Sequence, residues 1–204
     1  MTESSPPIGI PSGLRKFIKE HLSPEEEKGL FSAIEPVPPS DRSLLFELLS
    51  ELIEVSPRSA AVCLRQTGPF MAKTSPGATV SWMDLGVSLA GQSSVTAQKY
   101  FKESPEFLPG ISAETQKHIL ELAFEFTDGP YGVVIDFLRA ASNLPESLDP
   151  SRVSRWMQEG LDLAQEDLVL AIEFFRISPR ILDFISVDDL PEWIRLGKNL
   201  IEPN

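Results

Sequence analysis

The chain has 204 residues, of which 42% are hydrophobic and 24% charged, and 30 acids against 18 bases give a formal net charge of −12. The apolar fraction is that of a folded protein and argues against wholesale disorder. The acidic excess argues against nucleic-acid binding and against docking on anionic membranes, both of which need basic surface.

The first residues, MTESSPPIGIPSG, are polar and proline-rich, without the basic start and apolar run of a signal peptide. No apolar stretch approaches membrane-spanning length. Cys63 is the only cysteine, so neither an intramolecular disulfide nor a cysteine-rich zinc site is expected. Its apolar setting, AAVCL, reads as core rather than as a reactive thiol. Together these features predict a cytoplasmic protein.

In chain order, two helices are expected over 12–21 and 24–34, the second opened by Ser23-Pro24 with Glu26 in the capping-box position. The break PVPPSD follows. Residues 1–40 are therefore read as an N-terminal helical cap with a flexible, proline-rich start, and 41–204 as a repeat array.

The repeat is visible without gaps. WMDLGVSLAGQSSVTAQKYFKESPEFL from Trp82 lies on WMQEGLDLAQEDLVLAIEFFRISPRIL from Trp156, with 11 of 27 positions identical. The offset is 156 − 82 = 74, and Trp193 follows Trp156 by a further 37. Steps of 37 from Trp82 reach Ile119 and Leu45, so units begin near 45, 82, 119, 156 and 193, the last holding only its first helix. The signature positions are Trp82, Gly86, Ala97, Phe101 and Pro105, then Trp156, Gly160, Ala171, Phe175 and Pro179, then Trp193 and Gly197. Trp156, Gly160, Leu163 and Ala164 share one helical face; Leu168, Ala171, Ile172 and Phe175 share another. Each unit is thus a helical pair that cannot bury its apolar faces alone, so copies must stack. The recurring glycine implies a close approach at that point, and the recurring tryptophans read as core rather than as exposed anchors. Ser-Pro is read as a helix stop followed by an N-capped helical element, as at Ser56-Pro57. DGPYG, 128–132, is the interhelical turn of the third unit.

The predicted fold is all-α: an α-solenoid of about 37-residue helical repeats, HEAT-like or tetratricopeptide-like. WMDLG followed by AQKYF resembles the tetratricopeptide pattern, at a period of 37 rather than 34. The phrases W-x3-G-x2-LA, A-x2-(Y/F)-F-x2-SP-x2-L and DLPEWIRLG resemble the helical repeats of bacterial von Willebrand factor A-domain proteins related to nitric-oxide-reductase activation proteins. That resemblance covers most of 82–204. It implies a helical portion that works beside a metal-binding adhesion domain and an AAA+ ATPase in metalloenzyme maturation. The Asp-x-Ser-x-Ser metal motif of the adhesion domain is absent from this sequence, so no metal site carries over.

Candidate chemistry is sparse. His118 has Glu114 and Glu121 at helical spacing, which would suit an imidazole–carboxylate pair, but no nucleophile motif accompanies it. Acidic runs such as 25–27 and 188–189 read as solvated faces or helix starts. No catalytic, cofactor or metal residues are assigned. The expected function is a non-enzymatic interaction scaffold with a protein or peptide partner, an AAA+ ATPase or a von Willebrand factor A-domain protein among the candidates. Variable positions such as Asp84, Ser88, Asp162 and Glu166 would tune specificity. The alternatives are an enzyme using His118 with neighbouring carboxylates, and a purely structural oligomerisation segment.

Overall fold

The computed structural model describes residues 9–144, 149–182, 184–190, 192–193 and 195–196. Among them are ten α-helices, short 3-10 turns and no strand. The chain divides into two compact units, Met1–Pro109 and Gly110–Asn204.

The first unit holds α1 (Ser12–His21), α2 (Pro24–Ile34), α3 (Pro39–Val55), α4 (Pro57–Met71), α5 (Pro76–Gln92) and α6 (Ser94–Phe107). The two leading helices occupy the ranges expected from sequence. α2 starts with the full capping box: the Ser23 hydroxyl accepts from the Glu26 amide at 3.3 Å, and the Glu26 carboxylate accepts from the Ser23 amide at 2.7 Å. These bonds hold the Glu26 carboxyl below the ordinary carboxylate range.

Helices alternate between two layers. The odd helices pack as α1 on α3 on α5, and the even helices as α2 on α4 on α6. The hairpins α1–α2, α3–α4 and α5–α6 join the layers. α5 is apolar on most of its circumference, with Trp82, Met83, Leu85, Gly86 and Leu89 all fully or almost fully buried. A helix that is hydrophobic all round belongs in a core, and α5 faces both α3 and α6.

The second unit holds α7 (Ala113–Ala123), α8 (Val134–Ala141), α9 (Pro150–Glu166) and α10 (Leu168–Ile177). α7 pairs with α8, α9 pairs with α10, and α10 lies on α8. α9 also packs against the 3-10 turn Val187–Asp189.

First helices begin at Pro39, Pro76, Ala113 and Pro150, and the 3-10 turn at Val187 occupies the next step. Each start lies 37 residues after the one before (76 − 39, 113 − 76, 150 − 113, 187 − 150). Proline at the first helical position suits a helix start because its missing N–H would be unpaired there anyway.

Within three pairs, a single residue closes one helix and opens the next. Ser56, Ser93 and Asp167 are extended, with φ −153°, −156° and −152°, and each side chain accepts an amide of the following helix. The turn is one residue long because the cap and the corner are the same residue. The α7–α8 pair differs. α7 runs into a 3-10 turn at Phe124–Phe126, and DGPYG carries the chain to Val134.

Ser104-Pro105 corrects an expectation. Pro105 does not stop a helix: it lies inside α6, which runs on to Phe107. At Ser178-Pro179 the α-helix does end and a 3-10 turn follows, but Ser178 is the turn's first residue rather than its cap, and its hydroxyl accepts from the Trp156 indole. Ser-Pro is ambiguous in sequence because a serine hydroxyl can bond backward to the carbonyl four residues before it as readily as forward to an amide. Here the backward bond forms, from Ser104 Oγ to the Tyr100 carbonyl at 2.6 Å.

The recurring glycine has a direct explanation. A Cβ built on Gly86 would lie 2.0 Å from Phe101 Cζ, and one on Gly160 would lie 2.1 Å from Phe175 Cζ. The close neighbour is therefore a buried phenyl ring of the second helix, wedged against the first helix's backbone. Gly86→Ala should force that ring from its rotamer and cost about 3 kcal/mol, within the usual range for overpacking. Urea denaturation of G86A, with Gly86→Ala/Phe101→Leu as partial rescue, checks it; an unchanged midpoint in the single variant would refute the wedge.

Candidate interaction surface

Trp82 shows how the signature residues are used. Its indole is fully buried, and its Nε1–H donates to Ser104 Oγ at 2.7 Å. Ser104 Oγ in turn donates a hydrogen bond to the Tyr100 carbonyl, so donor and acceptor are both satisfied in a dry site. The Trp82 ring meets Phe101 edge-to-face at 5.0 Å and lies against Phe70 of α4 at 4.4 Å. Tyr100 Oη donates to the Trp82 carbonyl at 2.9 Å, and burial raises the Tyr100 phenol well above its usual range.

The second unit repeats the arrangement internally. Trp156 Nε1–H donates to Ser178 Oγ at 2.6 Å, and its ring meets Phe175 edge-to-face at 5.2 Å. Phe137 of α8 takes the outer side at 5.7 Å. Phe174 stands where Tyr100 stands in the first unit and brings no hydroxyl. Ala97 and Ala171 are fully buried on the second helices, while Pro105 and Pro179 are half-buried beside the paired serines. These ten residues build the joints of the helical pairs, and of them only Phe175 and Pro179 also line a groove.

Trp193 departs from the expectation of core packing: it is 58% exposed. Gly197 lies outside the described residues. Of the positions proposed to tune specificity, Asp84, Asp162 and Glu166 are exposed and Ser88 is half-buried. Glu166 accepts from Arg195 at 2.6 Å, and Asp162 accepts from the Gln158 amide at 2.9 Å. Burial, and then the Asp162 and Asp188 carboxylates, raise the Glu159 carboxyl above its ordinary value.

His118 is half-buried on α7, and its Nε2 has no hydrogen-bond partner among the described residues. Glu121 instead pairs with Lys117 at 3.7 Å. Among the described residues there is no group of three or more histidine, cysteine, aspartate or glutamate side chains that could hold a metal. No helix among them is long and apolar enough to cross a membrane.

Two open grooves lie between even-layer helices. In the first unit, Leu30, Ala33, Leu64, Pro69 and Met71 line a groove of about 740 Å³ between α2 and α4, with Glu25, Glu26 and Arg65 at its rim. There the helices meet at Gly68, where a Cβ would lie in van der Waals contact with the Leu30 amide nitrogen, 3.4 Å away. In the second unit, Phe175, Pro179 and Ala140 floor a groove of about 570 Å³, with Arg139, Arg176 and Arg180 around it. Arg139 faces Asp136 at 3.9 Å and Arg176 pairs with Glu173. Sequence reading missed both grooves because most of their lining residues, Phe175 and Pro179 apart, follow no shared spacing. Pro39, Pro76 and Pro150 were a usable signal for helix starts and were also passed over.

Fold and surface together define an all-α protein of capped helical pairs with aromatic joints. No protein-family model, no curated protein and no solved structure matches the chain.

Two outcomes follow from the joints. Ser104→Ala leaves the Trp82 N–H buried and unpaired, so it should cost about 1–3 kcal/mol. A double-mutant cycle with Trp82→Phe should recover most of that loss, and purely additive losses would contradict the bond. Cys63 is fully buried, and desolvation pushes its thiol up to about 12. The group therefore stays protonated at neutral and mildly alkaline pH. Ellman's reagent at pH 8 should label it only after denaturant is added; prompt labelling of the native protein would contradict its burial.

Proposed function

We propose that this chain is a non-enzymatic protein-binding scaffold of the α-solenoid class, built from 37-residue helical pairs. The observation that carries this reading is the recurrence of one joint. Trp82–Ser104–Phe101 over Gly86 is matched by Trp156–Ser178–Phe175 over Gly160, with ring separations of 5.0 and 5.2 Å. The start of a first helix or turn every 37 residues supports the same reading. Such pairs stack through nearest-neighbour contacts, and the surfaces between their cores are free to vary.

The grooves supply the recognition chemistry. An apolar groove rimmed by Glu25, Glu26 and Arg65 in one unit and an arginine-rimmed groove in the other suit a protein or peptide partner of mixed charge. The resemblance of WMQEG, FFRISPRIL and DLPEWIRLG to the repeats of von Willebrand factor A-domain proteins points to a specific partner class. That class is an AAA+ ATPase, or an adhesion-domain protein, engaged in maturing metalloenzymes.

The test is reconstitution. The tagged chain, co-expressed with candidate ATPase and adhesion-domain proteins from its own genome, should retain one of them at a fixed stoichiometry through size-exclusion chromatography. Charge reversal at Arg139 and Arg180 or at Glu25 should weaken that complex without changing the helical circular dichroism. Failure to retain any candidate, together with no stoichiometric partner from native lysate, would overturn the proposal.

A further inference from the structure

We infer that the groove between α8 and α10 is a docking site for an extended acidic segment of a partner protein, one carrying carboxylates at alternating positions. This inference deepens the scaffold reading and rests on it. The first observation is charge. The unit Gly110–Asn204 holds 8 bases against 17 acids, so its formal charge is 8 − 17 = −9. Three of those eight bases, Arg139, Arg176 and Arg180, line this one groove, and Asp136 is the one acid among the described residues that line it. A basic groove on an acidic unit gathers the attraction for an anionic chain into one place.

Arginines in the last turn of a helix also complement its dipole. That accounts for Arg139 at the end of α8 and Arg176 at the end of α10. It does not account for Arg180, which lies beyond α10 in the 3-10 turn Ser178–Arg180. Arg180 is exposed, and among the described residues its side chain has no hydrogen bond or ion pair. The repeat does not require it either. In the matching joint of the first unit, 74 residues earlier, Lys102 and Glu106 stand in the places of Arg176 and Arg180. The joint's core is rebuilt in both copies, whereas the charge on its outer face is not.

The spacing of the arginines selects the ligand. Arg176 and Arg180 are four residues apart across the end of α10 and its 3-10 turn, a rise of about 7 Å. Alternate residues of an extended chain are also about 7 Å apart and face the same side. Two acids separated by one residue therefore meet both guanidinium groups, and Arg139 waits on the opposite wall for a third. The planar fork of arginine suits carboxylates in pairs of bonds. Arg176 gives Nε and Nη2 to one oxygen of Glu173, which leaves Nη1 for the incoming carboxylate. A lone anion would leave most of this groove empty, since it spans about 570 Å³ with Ala140, Phe175 and Pro179 along its floor. Recognition of acidic motifs by arginine clusters is a recurring mode, and here it calls for a peptide.

The experiment uses the full chain and a fluorescein-labelled peptide with blocked ends, AEAEAEA, followed by fluorescence anisotropy. Binding should be saturable at low salt and several-fold weaker at about 300 mM salt, where screening shortens the reach of exposed charges. Arg180→Gln should weaken binding roughly tenfold, and Arg180→Lys should recover only part of the loss, because lysine keeps the charge without the fork. The far-ultraviolet circular dichroism should be unchanged in both variants. The isomeric peptide AAEEEAA has the same charge in the wrong spacing and should bind several-fold more weakly than AEAEAEA.

Any of four results would overturn the site. They are no saturable binding at millimolar peptide, equal binding by R180Q, equal binding of the two peptides, and self-association of the chain that R180Q abolishes. The last would make a second copy the occupant. Displacement of the peptide by an equal concentration of inorganic phosphate would also count against it, because a lone anion would then suffice. If R180Q retains the reconstituted partner undiminished, the scaffold reading stands and this site falls. If the peptide binds as expected but no partner is ever retained, the site stands and the scaffold reading fails.

Discussion

A tryptophan N–H buried far from water must find an acceptor, and two helical pairs of this chain solve that problem in the same way. The serine that accepts the bond sits one turn beyond an aromatic pair, and the second of those rings presses against a glycine on the tryptophan's own helix. None of the three groups works alone. A larger residue at the glycine would push the ring out; without the ring the indole would lie over a void; without the serine its N–H would be stranded. The interlock fixes both the rotation and the axial register of each pair. It also reaches beyond the pair, because Phe70 of α4 and Phe137 of α8 complete the walls around the two indoles.

Much of this architecture was legible in the sequence. The 3.6-residue spacing of apolar positions and the Ser23–Glu26 capping box located α1 and α2, because both signals are local. The repeat located the paired helices, because the same core must be rebuilt in each copy. Reading failed where one motif can satisfy a backbone group in two ways. Ser-Pro caps a helix at Ser23 and Ser56, whereas at Ser104 the serine bonds backward and the proline is carried within the helix. Trp193 was misjudged for a different reason. Sequence recurrence identifies a residue that fits a core, but burial depends on whether a neighbour arrives to cover it.

Of the interaction surface, the sequence disclosed the acidic balance and little else. Grooves arise from which side chains are small where two helices meet, and that depends on crossing geometry. Gly68 and Gly29, at the α2–α4 crossing, carry no mark in a repeat alignment. The three arginines of the second groove, Arg139, Arg176 and Arg180, lie on α8, α10 and the turn after it, 180 − 139 = 41 residues apart from first to last, and only folding brings them together.

The one-residue corners at Ser56, Ser93 and Asp167 set where this protein can tolerate change in length. Because one extended residue both ends a helix and caps the next, an insertion there would rotate the second helix out of phase with its partner. The joint between α7 and α8 is built otherwise, from a 3-10 turn and the sequence DGPYG, and no single side chain there fixes the phase. A loop or tag grafted at the exposed Asp128-Gly129 would leave Phe126, packed on Phe137 and Phe175, in place. The same asymmetry would channel natural drift in chain length toward the α7–α8 joint and away from the three one-residue corners.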